Sequence, residues 1–156
     1  MMATESKDKL HVSWEDYNND VILLKKEIEK IENPHLVTLY RGGLPLGTHL
    51  SNVMNLPLSI VDFQSYDGHS SEPELIKNAG ICVTDTLVLV DDIFDKGLTI
   101  AKTVDKLYDI FPNIKIKVFT LYQNNHMSHL HKNYDFKVES LNNSHGLWVS
   151  FPWETL

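Results

Sequence analysis

From Trp14 onward, apolar residues recur three and four positions apart, at Tyr17, Val21, Leu24, Ile28 and Ile31, with acidic, amide and basic residues between them. That period places one apolar face on a helix. Ser13, with Asp16 three residues on, resembles a capping box at its start, and Asn33-Pro34 stops it. Leu36 to Tyr40 then reads as a core strand, Arg41-Gly42-Gly43 as a tight turn, and Gly47 to Met54 as a short helix. Leu58 to Phe63 is the next strand. Gln64 to Ala79 is polar, carries Ser and Gly, shows weak periodicity, and is expected to be a mobile loop. Thr86 to Val90 reads as a strand, Thr99 to Phe111 as a helix with Val104, Leu107, Tyr108 and Phe111 inward, and Lys115 to Tyr122 as another strand. Pro112-Asn113 breaks the chain between the last two. Alternation of this kind predicts an α/β fold: a twisted, mostly parallel central sheet flanked by helices on both faces. Ligands in such sheets sit at the carboxyl ends of the strands, where Arg41-Gly42-Gly43 and the segment after Val90 both fall.

Length and composition narrow the class. A chain of 156 residues, 42% hydrophobic and 22% charged, suits one domain spanning 1–156 with a core of its own, residues 1–10 being flexible. Met1 to Lys9 lacks the apolar stretch of a signal peptide, and no run approaches the roughly 20 apolar residues of a membrane span. The lone Cys82 suits a reducing, cytoplasmic setting. A formal charge of −7, with 14 scattered basic residues, excludes a general nucleic-acid binder. An anionic ligand must therefore be held by local devices: helix N-termini, placed cations or a metal ion.

The run Val88-Leu89-Val90-Asp91-Asp92-Ile93-Phe94-Asp95-Lys96-Gly97-Leu98-Thr99 supplies such a device. A buried strand feeding a Gly-containing turn at a helix start presents backbone N–H groups and a positive dipole end, which suit a phosphate. Thr99 can donate its hydroxyl to that phosphate or cap the helix, and Gly97 permits a close backbone approach. Asp91 and Asp92 repel phosphate but suit sugar hydroxyls or a magnesium ion carrying polyphosphate. Tyr40 to Gly47 is a second strand end, with two glycines and Arg41 as a positive fork. Gly146 to Glu154 places two Trp and a Phe within a short stretch, by composition a core edge or an oligomer contact.

Together these segments resemble the type I phosphoribosyltransferases, most closely the bacterial xanthine–guanine (6-oxopurine) branch. Asp91, Asp92, Asp95, Gly97 and Thr99 stand where the family's ribose-phosphate loop has them, while Lys96 replaces a small hydroxyl residue. Arg41-Gly42-Gly43-Leu44 resembles the pyrophosphate loop, which implies a cis Tyr40–Arg41 peptide. Ser65-Tyr66 resembles the pair on the flexible catalytic loop, here 64–79. Trp148, Pro152, Trp153 and Glu154 resemble the terminal segment, with Glu154 in place of the commoner Asp.

The resemblance implies a fold with a small hood built from the terminal segments and a magnesium-dependent transfer of the phosphoribosyl group from 5-phosphoribosyl 1-pyrophosphate (PRPP) to a purine. It implies Asp95 as general base, Ser65 and Tyr66 as a closing catalytic lid, and Arg41, Gly42, Asp91, Asp92, Asp95, Lys96, Gly97, Leu98 and Thr99 as the PRPP and phosphate contacts. Trp148 would stack on the base, Val149 would offer backbone groups to its edge, and Asp91, Asp92 and Glu154 would face Mg2+. Gln123 falls where the family places a Lys against the purine O6, and it brings a donor without the charge. Two alternatives stand beside this reading: a non-catalytic PRPP-binding regulator of the same fold, and a transferase for another nucleobase. The exposed aromatic terminus points to a homo-oligomer. His126, His129 and His131 read as solvated residues of an Asn-rich loop rather than a zinc site.

Overall fold

The computed structural model describes residues 8–64, 72–130 and 136–156. The chain runs β1 (Lys9–His11), α1 (Trp14–Glu29), β2 (Pro34–Tyr40), α2 (Leu44–Met54), β3 (Leu58–Gln64), β4 (Glu72–Lys77), β5 (Thr86–Phe94), α3 (Leu98–Ile110), β6 (Lys115–Gln123), β7 (Val138–Asn143) and β8 (Trp148–Ser150). Six strands form one sheet in the order β4-β3-β2-β5-β6-β7, and only the β3–β4 pair is antiparallel. The carboxyl ends of β2, β3, β5, β6 and β7 therefore share one edge of the sheet.

Side chains alternate across the sheet as the pleat requires. Leu36, Val88 and Val90 turn to a core shared with Tyr17, Val21, Leu24 and Ile28 of α1 and Leu46 and Leu50 of α2. Their neighbours Val37, Leu87 and Leu89 turn to the opposite core, with Ile100, Val104 and Leu107 of α3. Helices thus cover both faces, and the apolar positions read from the sequence of α1 are its buried ones. Ser13 caps α1 by accepting a hydrogen bond from the Asp16 N–H at 3.0 Å. The helix ends at Glu29, short of Asn33-Pro34, and Asn33 takes a left-handed φ of 49° on the way into β2.

Four expectations are corrected. Residues 72–77 of the segment expected to be a mobile loop form the edge strand β4, with Leu75 opposite Val61 and Pro73 opposite Phe63. An edge strand needs only one satisfied side, so it tolerates a proline and a polar outer face. Lys9 and Leu10, expected to be flexible, lie in β1, which pairs parallel with β8 through Lys9↔Trp148 and Leu10↔Val149. This two-stranded ribbon joins both terminal segments into the hood. Third, β5 does not stop at Val90. Its ladder with β6 continues through Asp91↔Thr120 to Phe94↔Gln123, so both aspartates belong to a strand. Fourth, α3 is capped by Gly97, at φ 84°, and Thr99 lies one residue inside the helix, its carbonyl accepting from the Thr103 hydroxyl at 2.8 Å.

Candidate active site

Two glycines four residues apart, Gly43 at the N-cap of α2 and Gly47 inside it, seat that helix directly on the central strands. A Cβ at Gly47 would lie 2.7 Å from Thr38 Cβ, and one at Gly43 would lie 2.6 Å from Thr38 Oγ1, 2.9 Å from Asp91 Oδ1 and 3.0 Å from the Val90 carbonyl. A Cβ at Gly42 would lie 2.9 Å from Asp92 Oδ2. The turn after β2 is therefore packed against the end of β5 at van der Waals distance, without room for one further carbon. Segments about fifty positions apart in the chain meet here because Thr38, buried and hydrogen-bonded to the Val90 carbonyl at 3.2 Å, lies level with Val90 in the β2–β5 register.

The two aspartates at this junction are crowded. Asp91 Oδ1 accepts the Asp92 N–H at 2.9 Å, and Asp92 Oδ1 accepts the Ile93 N–H at 2.7 Å. Among the described residues neither has a Lys or Arg ion-pair partner. Burial pushes the Asp91 carboxyl well above the usual carboxylate range, and the charge of Asp92 pushes it the same way. Asp92 is also raised, chiefly by burial, with the Glu154 carboxylate adding to the effect. Carboxylates raised by burial, with no Lys or Arg ion-pair partner among the described residues, are suited to receive a cation.

Beyond them, residues 91–100 line a cavity of about 390 Å3 that includes Asp95, Lys96, Gly97, Leu98 and Thr99. The first-turn N–H groups of α3 have no intrahelical acceptor, which is the usual setting for an anion. A neighbouring cavity of about 360 Å3 is walled by Asn124, Gly146, Leu147, Trp148, Val149, Phe151 and Glu154, and it shares Asp92, Ile93 and Asp95 with the first. Trp148, held on a paired strand, is 59% exposed. Glu154 accepts the Phe151 N–H at 2.9 Å, which fixes the carboxylate at the end of this wall. One continuous surface thus offers an anion cradle, a carboxylate pair and an aromatic wall.

Residues 14–155 match the family model described as the phosphoribosyl transferase domain. The chain belongs to the phosphoribosyltransferase family. A curated protein of Aciduliprofundum boonei, named hypoxanthine/guanine phosphoribosyltransferase, is 28% identical over 118 residues, covering 69% of this chain and 63% of its own length. The chain thus spans under two thirds of that relative. Among solved structures, the purine phosphoribosyltransferase of Pyrococcus horikoshii superposes with a TM-score of 0.73 at 22% identity, covering 96% of each chain. The xanthine-guanine-hypoxanthine phosphoribosyltransferase of Helicobacter pylori gives 0.74 at 24% identity, covering 94% of each. These two likenesses carry the fold.

The expected residues are not all brought together. The Tyr40–Arg41 peptide is cis. Arg41 and Tyr40 line a third, largely apolar cavity of about 650 Å3 with Trp14, Tyr17, His49 and Trp153, and Arg41 is not among the residues walling the two acidic cavities. Ser65 and Tyr66 lie outside the described residues, as do His69 and His131. Gln123 ends β6 in register with Phe94 and Asn143, its carbonyl accepting the Ser144 N–H at 2.8 Å, and it does not wall the aromatic cavity.

Asn124, the next residue, does wall that cavity, and the sequence reading missed it. Its N–H donates to the Phe94 carbonyl at 3.0 Å, which carries the ladder one residue past the strand and sets its side chain beside Asp95. The alternation of a strand was the available signal: residues 123 and 124 face opposite ways. Among the described residues, no three His, Cys, Asp or Glu side chains form a ready metal cage; Asp92 shares one cavity with Asp91 and the other with Glu154. No helix among the described residues is long and apolar enough to cross a membrane.

Proposed function

We propose that this phosphoribosyltransferase transfers the 5-phosphoribosyl group of PRPP to a 6-oxopurine, guanine, hypoxanthine or xanthine, releasing pyrophosphate and the nucleoside monophosphate. The observation that carries this reading is the close packing of the Gly42-Gly43 turn on the Asp91-Asp92 pair, beside a cavity walled by Trp148; two turns so placed would grip the two ends of one sugar. The name of the curated relative supports the same substrate class.

In this reading the 5′-phosphate rests on the N–H groups of residues 95–99 and on the Thr99 hydroxyl, with Lys96 adding charge. Asp91 and Asp92 hold the ribose hydroxyls. The base lies against Trp148, with the backbone of Val149 along its edge. Its N9 electron pair attacks C1 as the C1–O bond to pyrophosphate breaks, and the proton on N7 passes to the Asp95 carboxylate. Ser65 and Tyr66 would close over the site and exclude water, while Gln123, which does not wall the aromatic cavity, takes no part in holding the base. Hard oxygen donors whose burial leaves them short of positive charge fit Mg2+, and Asp91, Asp92 and Glu154 would face it together with substrate oxygens. When bound, the ion supplies charge neutralisation for the leaving pyrophosphate. The exposed Trp14, Tyr40 and Trp148 support self-association, and the lone exposed Cys82 suits a cytoplasmic setting.

A spectrophotometric screen of guanine, hypoxanthine, xanthine, adenine and uracil with PRPP and Mg2+ tests the reading. Turnover confined to 6-oxopurines supports it, and turnover with adenine or uracil alone overturns the substrate class. One observation favours a second reading, a PRPP-binding regulator: Arg41 faces the apolar cavity rather than the acidic ones. Tight PRPP binding without turnover of any base would select it.

A further inference from the structure

Asp95 and the loop that carries Trp148 come from different parts of the chain, yet the proposed reaction needs both at fixed distances from one planar base. A single side chain joins them. The Asn124 amide Nδ2 donates to Asp95 Oδ1 at 2.9 Å, while its Oδ1 accepts the Gly146 N–H at 3.1 Å and the His126 N–H at 3.1 Å. A neutral amide is required for this, since it carries donor and acceptor at opposite ends of one rigid plane.

Gly146 has little freedom to escape. It takes a φ of 83°, and a Cβ there would fall 2.1 Å from His126 Nδ1, so its backbone is held between Asn124 and the His126 ring. Leu147 and Trp148 follow directly, with the Leu147 N–H donating to the Ser144 carbonyl at 2.9 Å and the Trp148 N–H to the Asp8 carbonyl at 3.2 Å. The position of Trp148 is therefore set at one end by the hood and at the other by Asn124.

We propose that Asn124 is a positioning residue that locks Asp95 and the Gly146–Trp148 loop into one register, so that the proton acceptor and the stacking wall address the same base. This rests on the purine-transferase reading above. Its donor and acceptor ends can be separated by substitution. Asn124→Asp keeps an acceptor for the Gly146 and His126 N–H groups and sets a like charge against Asp95 in place of the donor, whereas Asn124→Ala loses all three bonds.

The test measures kcat and both KM values for the two variants, with melting temperature as a check on folding and amide exchange of the Gly146 N–H as a readout independent of turnover. Misplacement of a reacting group costs roughly tenfold to a hundredfold in rate, so both variants should lose kcat on that scale with the KM for PRPP unchanged. The KM for the base should rise about fivefold in Asn124→Ala, the size of one lost hydrogen bond, and stay level in Asn124→Asp. Gly146 exchange should accelerate only in Asn124→Ala. Variants with wild-type kcat and base KM would overturn the proposal, as would Gly146 exchange unchanged in Asn124→Ala. Absence of turnover in the wild-type protein would instead count against the purine-transferase reading, with the exchange measurement still deciding whether Asn124 holds the loop.

Discussion

Gly47→Ala is the substitution whose sign decides whether α2 rests on β2 as closely as described. Gly47 lies inside α2, where alanine is ordinarily favoured over glycine by about 1 kcal/mol. Against that, the added Cβ would stand 2.7 Å from Thr38 Cβ and 3.0 Å from both Thr38 Cγ2 and Oγ1. Thr38 cannot step aside: it is fully buried, β-branched, and lies on a strand hydrogen-bonded to β3 on one side and β5 on the other. Overpacking a held site costs about 1–3 kcal/mol, and three contacts with one immobile side chain place this case high in that range. The net expectation is a loss of about 1–2 kcal/mol, after the helix-propensity gain is subtracted. For a chain of this length that lowers the melting temperature by about 2–8 °C.

Calorimetry of the ligand-free protein measures this directly. In a Thr38→Ala background, which removes Cγ2 and Oγ1, the cost of Gly47→Ala should shrink by about 0.5 kcal/mol or more, as expected for residues in contact. A functional effect should accompany the loss. Lifting α2 moves Gly42 and Gly43 off Asp91 and Asp92, so the KM for PRPP should rise. A melting temperature at or above that of the wild type would refute the close approach, and with it the convergence of the two turns on which the site depends.

Other substitutions separate the remaining roles. Asp95→Asn should reduce turnover by roughly a hundredfold or more while PRPP affinity is kept, and unchanged turnover would remove Asp95 from proton transfer. Trp148→Ala should weaken base binding by about 1–3 kcal/mol if stacking resembles that of bases on aromatic side chains elsewhere, read from the KM for the base or from nucleotide titration. Asp91→Asn should stabilise the metal-free protein increasingly as pH rises. Burial raises the Asp91 carboxyl, so the folded state binds more protons than the unfolded one between the unfolded value of about 3.9 and the raised folded value. Stability from this group is therefore greatest below about pH 3.9 and is lost as pH rises through the folded value. Melting curves of wild type and variant that run parallel from acid to neutral pH would refute the buried-charge account.

What could be read from the sequence, and what could not, follows the range of the interactions involved. The apolar face of α1 was legible because Tyr17, Val21, Leu24 and Ile28 need only a helical period to be recognised, and a core buries all four. Strand β4 was not, since an edge strand turns only Pro73 and Leu75 inward and otherwise carries the polar composition of a loop. Strands β1 and β8, three residues each, have no local signal at all. Each exists only because the other lies alongside it, at the far end of the chain.

The site shows the same division more sharply. Two acids following an aliphatic run and leading into a Gly-containing turn are what marked Asp91 and Asp92 from sequence alone, although the strand they were read to follow in fact contains them. The glycines at 42, 43 and 47 were legible as punctuation, but not the atoms they approach, because Thr38, Asp91 and Asp92 come into reach only through the β2–β5 register. Asn124 is the extreme case. Its side chain bonds residues 29 and 22 positions away, and strand alternation could set it apart from Gln123 but could not name those partners. A residue whose role is to join two distant segments leaves a trace in geometry before it leaves one in sequence, so comparing the loss of its donor in Asn124→Asp with the loss of the whole side-chain link in Asn124→Ala reads that role where pattern cannot.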